Sequence, residues 1–291
     1  MTHLRLALCQ YHITGISGPD AFLAKLDTLL AQAAAGGADM LVLPEYACME
    51  MAAGFPGAGD ARAELAQVAA AVPDLLAGCR AAAAAHGLWL LPGTLPWASG
   101  GTVRNLAPLI APDGRMASQE KSTMTRFEAE QWGVAAGDGP RVFATSFGRI
   151  GIAICYDVEF PLLVRAQVAA GAWLILAPSC TDSLHGFNRV KLSAQARALE
   201  NQCFVAIAPT VGLAPALASV DENHGFAAMF GPVDRGFPDD GVLAAGRMDE
   251  PGLVFADLDP DRLAAVRADG AVRNHRDWAD IPQIVQIVSP E

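Results

Sequence analysis

Segments with two different hydrophobic periods alternate along this chain. In residues 149–154 apolar, β-branched residues crowd a short run, which predicts a strand with both faces buried. In residues 188–202 apolar positions recur at helical spacing among arginine, lysine and glutamate, which predicts an amphipathic helix. Repeated alternation of such segments favours an α/β fold.

The same patterns, with glycine and proline as punctuation, predict the remaining elements. A Pro-Asp-Gly turn at 112–114 joins two strands into a hairpin, and the segment 122–138 has no clear period. Strands are predicted at 4–10, 39–43, 88–91, 102–110, 115–119, 141–146, 149–154, 172–177, 203–209, 225–230, 242–245 and 252–257. Helices are predicted at 19–35, 61–85 with an interruption at Pro73, 160–170, 188–202 and 260–268, with an extended tail at 278–288.

Composition adds a large core and a negative surface to this picture. Hydrophobic residues make up 52% of the 291 residues and charged residues 18%, and the formal net charge is −11. This charge disfavours nucleic acids and anionic membranes as partners. We expect no apolar run to be long enough to span a membrane, and the first residues have the pattern of a strand rather than of a signal sequence. We therefore expect a single domain over residues 1–291 in the cytoplasm.

Cysteine and histidine spacing gives no support for disulfides, a metal or a cofactor. The six cysteines lie far apart with no CxxC pair, so we expect reduced thiols. The six histidines include no HExxH and no pair at helical ligand spacing. The expected cofactor and metal content is therefore none.

Three chemically active side chains stand at the carboxyl ends of predicted strands. Glu45 follows strand 39–43, Lys121 follows the hairpin, and Cys155 lies between strand 149–154 and the next helix. Ligands gather at this edge of open α/β sheets. A cysteine that attacks a carbonyl needs a base for its proton, and a lysine can stabilise the oxyanion. Amides at the start of the next helix can lower the thiol pKa.

Each of these residues also has a plainer interpretation. Cys155 is compatible with a small buried core cysteine, Glu45 with an exposed loop charge, and Lys121 with a solvated surface charge. No histidine is placed to act as the base, and the GxSxG motif of serine hydrolases is absent.

Five stretches together resemble the carbon–nitrogen hydrolase (nitrilase) superfamily. They are LVLPEY, the lysine after the hairpin, GRIGIAICYDVEFP, GAWLILAPS and QARALENQCFVAIAP, in the family's order between residues 4 and about 258. The resemblance implies a four-layer α-β-β-α sandwich of two mixed sheets with outer helices, and assembly into a homodimer or higher homo-oligomer. It also implies that Glu45 is the general base, Lys121 the oxyanion-stabilising cation and Cys155 the nucleophile.

Further roles follow from the same resemblance. A second glutamate after the lysine orients the lysine and substrate in family members, and here Glu128 is the better candidate and Glu130 the fallback. Asp157 is expected to fix the turn at the cysteine, and Tyr156 to offer its backbone N–H to the oxyanion. The segment KSTMTRFE lacks the histidine of the commoner KxHL pattern, with Thr123 in its place.

The stretch PSCTDSLHGFNRVKLSAQARALENQ resembles the amidase-like branch whose hydrolase part is sometimes fused to an acetyltransferase domain. Cys180, Thr181 and Asp182 are expected to line the substrate pocket. Glu159 stands where amidases that act on dicarboxylate monoamides often have arginine, which favours a neutral or cationic substrate. Pairing of Glu159 with an internal arginine, Arg165 or Arg189, is the equally weighted alternative.

The predicted activity is hydrolysis of a small amide or carbamoyl compound to an acid and ammonia or an amine through a cysteine thioester. Amide is preferred over nitrile because the nitrilase branch typically has Trp-Glu after its cysteine, whereas this chain has Tyr-Asp. The alternatives are an acyltransferase that uses the same thioester and a true nitrilase; a glutaminase and an inactive binding module fit less well. The segment 270–291 is expected to be a C-terminal tail, in which 278–288 is either an arm that contacts a neighbouring subunit, the favoured interpretation, or an edge strand that packs on its own domain.

Overall fold

The structure, a computed structural model, describes residues 3–280. Strands and helices alternate through most of this range, as the hydrophobic pattern predicts. The strands are β1 Leu4–His12, β2 Met40–Val42, β3 Trp89–Leu91, β4 Leu95–Ser99, β5 Thr102–Ile110, β6 Met116–Glu120, β7 Val134–Ala135, β8 Val142–Thr145, β9 Gly148–Ile152, β10 Leu174–Ser179, β11 Phe204–Leu213, β12 Glu222–Asn223, β13 Ala228–Phe230, β14 Val242–Ala245 and β15 Gly252–Leu258. The helices are α1 Gly18–Ala35, α2 Ala61–His86, α3 Pro161–Ala169, α4 Leu184–Asn201, α5 Pro260–Asp269 and α6 Asn274–Asp277.

The sheet is mixed and has two halves that meet where β1 and β11 end. In the first half β1, β2 and β3 are parallel, β15 pairs antiparallel with β1, and β4 and β6 flank β5 in antiparallel pairing. In the second half β9, β10 and β11 are parallel, with β8 and β13 antiparallel at their sides. Two parallel residue pairs, Tyr11 with Thr210 and His12 with Val211, join the halves. The carboxyl ends of β2, β9 and β10 therefore point to one shared edge.

The apolar side chains form two large buried clusters. One includes residues of both halves of the sheet, such as Leu6 of β1 and Ile175 of β10, together with α3 and α4. The other lies between the first half and helices α1 and α2. The fold is thus α/β with a curled mixed sheet covered by helices, which confirms the predicted class.

Helix α2 differs from the sequence-based expectation in two respects. It continues through Pro73 without interruption, because Val72, Leu75 and Leu76 on either side are buried and their packing offsets the lost backbone hydrogen bond. It is also 26 residues long, and an 18-residue window within it has a mean hydropathy of 1.4, so by length and composition alone it could cross a membrane. The expectation that no apolar segment is long enough to span a membrane is therefore wrong for α2, because its many alanines raise the mean hydropathy.

Helix α4 begins at Leu184, four positions before the predicted start. The hydroxyl of Ser183 accepts a hydrogen bond from the Gly186 amide and caps this earlier end. The predicted tail 278–288 lies mostly outside the described residues. Its first residue, Trp278, is in a short helical turn rather than extended, and its indole donates to the Glu200 carbonyl oxygen of the same chain.

Candidate active site

Cys155 occupies a strained turn between β9 and α3. It is the first residue of a short 3₁₀ helix, Cys155–Glu159, and its φ of 46° is in the left-handed region that favours glycine. Such strain persists only where the surrounding structure enforces it, and it is concentrated at functional sites. The side chain is 5% exposed and lines a cavity of about 1010 Å³.

Glu45 follows β2 and is buried, and both of its carboxylate oxygens accept hydrogen bonds. Its Oε1 accepts hydrogen bonds from Lys121 Nζ at 2.8 Å and Asn105 Nδ2 at 2.9 Å. Its Oε2 accepts one from the Cys180 amide at 3.1 Å. Burial raises the pKa of Glu45, and Lys121 and a hydrogen bond with Cys155 oppose that rise only in part. Glu45 is therefore a stronger base than a solvated carboxylate.

Lys121 lies between two carboxylates at the end of the β5–β6 hairpin. Its Nζ is 2.8 Å from Glu45 Oε1 and 2.6 Å from Glu128 Oε2, and the side chain is 1% exposed. Burial alone would lower the pKa of Lys121, but the two carboxylates outweigh it and raise the pKa above its ordinary value. The ammonium therefore stays protonated, which places a fixed positive charge beside Cys155.

Glu128, on the short helix Phe127–Trp132, is the second carboxylate at Lys121. Burial would raise its pKa, yet Lys121 and hydrogen bonds from Thr125 and Tyr46 lower it. The pKa values of Glu45 and Glu128 are thus shifted in opposite directions, so Glu45 binds a proton more readily than Glu128 does. The fallback candidate Glu130 pairs instead with Arg126 on the surface.

The thiol of Cys155 behaves differently from the sequence-based expectation. Burial raises its pKa well above the ordinary value, and Glu45 raises it further, while Lys121 lowers it. The start of the following helix does not outweigh burial. The thiol is therefore protonated at neutral pH, and its reaction as a nucleophile requires a base.

The predicted pocket residues Cys180 and Thr181 both line the cavity, but their polar groups have internal partners. The Cys180 amide donates to Glu45, and burial raises the pKa of its thiol to about 12. The Thr181 hydroxyl donates to the His224 carbonyl oxygen at 2.8 Å. Asp182, the residue after Thr181, also lines the cavity.

The two residues after the cysteine have distinct surroundings. Asp157 is buried and accepts hydrogen bonds from the amides of Ser122 and Thr123, so it ties the loop after Lys121 to the cysteine turn. These bonds use backbone N–H groups and do not depend on a histidine at position 123. Tyr156 lines the cavity, and its ring packs edge-on against Phe160 with centroids 4.9 Å apart.

Glu159 lines the same cavity and pairs with Arg189, not Arg165. Its Oε1 is 3.4 Å from Arg189 Nε, and the side chains are 19% and 63% exposed, respectively. Burial raises the pKa of Glu159, and Arg189 opposes that rise. The partner is mostly solvated, so the carboxylate keeps part of its influence on the cavity.

Sequence reasoning missed Asn105 and Tyr46, which both bind the carboxylates. Asn105 donates to Glu45 and Glu128, and Tyr46 donates to Glu128 at 2.9 Å. A signal for Asn105 existed, because it is a polar residue inside the apolar strand β5 and hairpin register places it beside Lys121. Within residues 3–280 no group of three or more histidine, cysteine or acidic side chains is arranged to hold a metal ion.

Comparisons with known proteins identify the family of this chain. The family model for carbon-nitrogen hydrolases matches residues 5–268. The probable hydrolase YhcX of Bacillus subtilis is 38% identical over 177 residues, 61% of this chain, and the match spans only 34% of that protein. The deaminated glutathione amidase of Synechocystis is 29% identical, with 87% of this chain and 92% of that protein covered.

A solved structure, the amidase from Nesterenkonia sp., gives a TM-score of 0.72 at 29% identity, with 95% of this chain and 97% of that chain covered. Variants of that amidase have been solved in complex with butyramide and with the acetamide moiety of fluoroacetamide added covalently at the active-site cysteine.

Fold and cavity together define an α/β enzyme of the hydrolase class, with amidases among its relatives. The chain belongs to the carbon–nitrogen hydrolase family of the nitrilase superfamily.

Proposed function

We propose that this enzyme hydrolyses the C–N bond of a small amide through a thioester on Cys155, with Glu45 as general base and Lys121 as the oxyanion-stabilising cation. The observation that carries the proposal is the buried pairing of Lys121 with Glu45 and Glu128 beside the Cys155 thiol. A protonated thiol, a carboxylate with a raised pKa and a fixed ammonium are the three groups that acyl transfer to sulfur requires.

In the first half-reaction Glu45 accepts the thiol proton as Cys155 Sγ bonds to the amide carbon. Lys121 and the Tyr156 amide stabilise the negative oxygen. The C–N bond then breaks, the nitrogen takes the proton from Glu45, and ammonia or an amine leaves. In the second half-reaction Glu45 accepts a proton from water, whose oxygen attacks the thioester. The C–S bond breaks, the thiol regains its proton, and the acid is released.

Glu128 acts in this scheme as the partner that keeps Lys121 charged and in place. Its lowered pKa means that it remains ionised through the cycle while Glu45 exchanges protons. A single ammonium between a permanent and an exchangeable carboxylate remains protonated in every step.

The proposed substrate is a small neutral or cationic amide. The butyramide complex of the Nesterenkonia amidase supports an uncharged aliphatic amide, because butyramide carries no ionised group. Glu159 disfavours an anionic tail in the cavity, since like charges repel where solvent is partly excluded. Amide remains preferred over nitrile on the Tyr-Asp pair that follows the cysteine.

Changing Glu159 to glutamine is expected to lower the preference for cationic over anionic amides. Loss of the carboxylate removes attraction for a cation and repulsion for an anion, and we expect the ratio of the two kcat/KM values to fall about 10-fold. The measurement is kcat/KM for matched amides that differ only in an amino or a carboxyl tail.

The matched control is Arg189→Gln, which frees the Glu159 carboxylate and is expected to raise the same ratio. Opposite movements of the ratio identify Glu159 as the group that senses tail charge. If both variants keep the wild-type ratio, Glu159 has no part in selecting the substrate.

The activity itself is tested with purified enzyme and a panel of small amides, carbamoyl amines and nitriles. Ammonia release and intact protein mass are followed together. Ammonia from amides with an acyl adduct on Cys155 supports the proposal. An adduct without hydrolysis indicates an acyltransferase, and turnover of nitriles alone indicates a nitrilase; either result, or the absence of both ammonia and adduct, contradicts it.

The proposal extends to architecture and assembly. We propose a single domain over 1–291, built as a four-layer α-β-β-α sandwich in which the two halves of the sheet face each other. The support for this architecture is that one core cluster contains side chains from both halves. A cytoplasmic homodimer or larger homo-oligomer, with a small-molecule substrate and no nucleic-acid or membrane partner, remains a prediction.

A further inference from the structure

Asn105 lies at the centre of the charged cluster although it carries no charge. It is fully buried in β5, and its Nδ2 is 2.9 Å from Glu45 Oε1 and 3.2 Å from Glu128 Oε1. Two carboxylate oxygens next to one side-chain atom require that atom to be the amide nitrogen, because an oxygen there would have nothing to accept. Both N–H bonds of this one group are therefore directed at the two carboxylates.

Charge balance explains why an amide is useful at this position. Within residues 3–280 the only cation paired with Glu45 or Glu128 is Lys121, so two carboxylates share one ammonium. The two carboxylates repel each other, which favours uptake of a proton by one of them, and every hydrogen-bond donor to them opposes that uptake. A second cation would instead weaken Glu45 as a base. Two N–H donors on a neutral side chain stabilise both carboxylates and leave the charge of the cluster unchanged.

The same contact orients the carboxylate of Glu45. Its Oε1 accepts hydrogen bonds from two side chains, Lys121 and Asn105, whereas Oε2 accepts one from a backbone amide, that of Cys180. Oε2 is therefore the oxygen with capacity for the Cys155 proton. Lys121 and Asn105 at Oε1 and the Cys180 amide at Oε2 together restrict rotation about the last side-chain bond of Glu45, and Asn105 is the neutral side chain among these donors.

The side chain of Asn105 serves no evident purpose in the sheet. The backbone carbonyl of Asn105 accepts the Lys121 amide, a bond that any residue in β5 could make. Its side-chain Oδ1 is buried and has no hydrogen-bond partner within residues 3–280. An unpaired buried carbonyl costs stability, so the amide is retained here for what its nitrogen contacts.

We propose that Asn105 is a positioning residue of the catalytic site: by donating to Glu45 and Glu128 together it directs the proton-accepting oxygen of Glu45 toward Cys155 and keeps both carboxylates ionised around one lysine. This inference rests on the proposed function, because it assigns Asn105 a part in the proton transfer to Glu45.

The test compares Asn105→Leu with wild type in two assays. In amide hydrolysis we expect kcat to fall about 10- to 100-fold, as for other residues that orient catalytic groups, while KM changes little. In the second assay a haloacetamide alkylates Cys155 at a series of pH values and intact mass gives the rate. Loss of two donors to the carboxylates favours their protonated forms, so the acid limb of this profile should move up by about one pH unit.

The matched control is Asn201→Leu, another fully buried asparagine, whose amide donates to the Arg197 carbonyl oxygen in α4. It should lower thermal stability and leave both kcat and the pH profile of alkylation unchanged. Asn105→Ser, which keeps one donor, should give an intermediate shift and carries the test if the leucine variant does not fold.

An unchanged kcat and acid limb in Asn105→Leu, or equal shifts in Asn201→Leu, would overturn the inference. The alkylation assay needs no substrate. If wild type hydrolyses no amide, the proposed function fails, while the alkylation profiles still decide whether Asn105 controls proton transfer from Cys155.

Discussion

Cys155→Ala is expected to abolish amide turnover, with a loss in kcat of about 10⁵-fold or more, and to leave the fold intact. The large effect follows from covalent catalysis, because the remaining groups cannot act as a unit without the nucleophile. The structural effect is small, since alanine keeps the backbone of the turn and removes one sulfur atom at a cost on the order of 1 kcal/mol. The measurements are ammonia release and thermal unfolding.

A second cysteine variant controls for loss of a buried thiol in general. Cys203, directly before β11, is fully buried, and within residues 3–280 its thiol donates a hydrogen bond to the Arg197 carbonyl oxygen. Cys203→Ala should lose a similar amount of stability and keep turnover. Retained hydrolysis by purified Cys155→Ala would rule out the thioester mechanism.

Lys121→Met is expected to damage both catalysis and stability. Loss of the oxyanion-stabilising cation should lower kcat by about 10²- to 10³-fold at least. Glu45 and Glu128 would keep their buried carboxylates with no cation, and breaking a buried ion pair in this way costs about 3–5 kcal/mol. Steady-state kinetics and denaturant unfolding measure the two effects.

The pH dependence of that stability loss has a defined sign. In wild type, Lys121 holds the pKa of Glu128 below its ordinary value of 4.5, so this carboxylate contributes stability above that pH, which is lost as pH falls through its folded pKa. Without Lys121 the folded pKa values of both glutamates lie above the unfolded ones. The folded variant then binds more protons, and its stability falls as pH rises above about 4.5. Acidification toward pH 4.5 should therefore reduce the difference in the free energy of unfolding between Lys121→Met and wild type.

Adding Glu128→Gln to Lys121→Met separates the two effects of the lysine. Removal of one unpaired carboxylate should restore part of the free energy of unfolding and none of the turnover. If Lys121→Met is as stable as wild type at neutral pH, the buried pairing does not hold in solution.

Local sequence patterns were sufficient for most of the fold. The apolar run before Cys155 predicts a buried strand, and Gly87 ends α2 in a left-handed conformation, as its place after His86 predicts. These features depend on neighbours within a few residues, where spacing and backbone preference decide the outcome. Pro73 is the exception, because local preference favours a break while the packed residues around it maintain the helix.

The site was less accessible to such patterns, and the reason is distance along the chain. Motif resemblance identifies Glu45, Lys121 and Cys155, but it gives no account of Asn105, whose contacts reach 60 residues back to Glu45 and 23 forward to Glu128. It also does not decide whether Glu159 pairs with Arg165 or with Arg189. The structure selects Arg189 because α4 packs against the short helix that carries Glu159.

The sequence by itself determined the order of the longer strands and helices, the family and the three residues at the strand ends, because periodicity and motifs are properties of short segments. Only the tertiary structure decided how these residues influence one another. Burial raises the pKa of Glu45 and of the Cys155 thiol, one lysine lies between two carboxylates, and a neutral amide completes their hydrogen bonding. Such effects depend on exclusion of water and on separations of about 3 Å between groups that are remote in the chain, which no local pattern records.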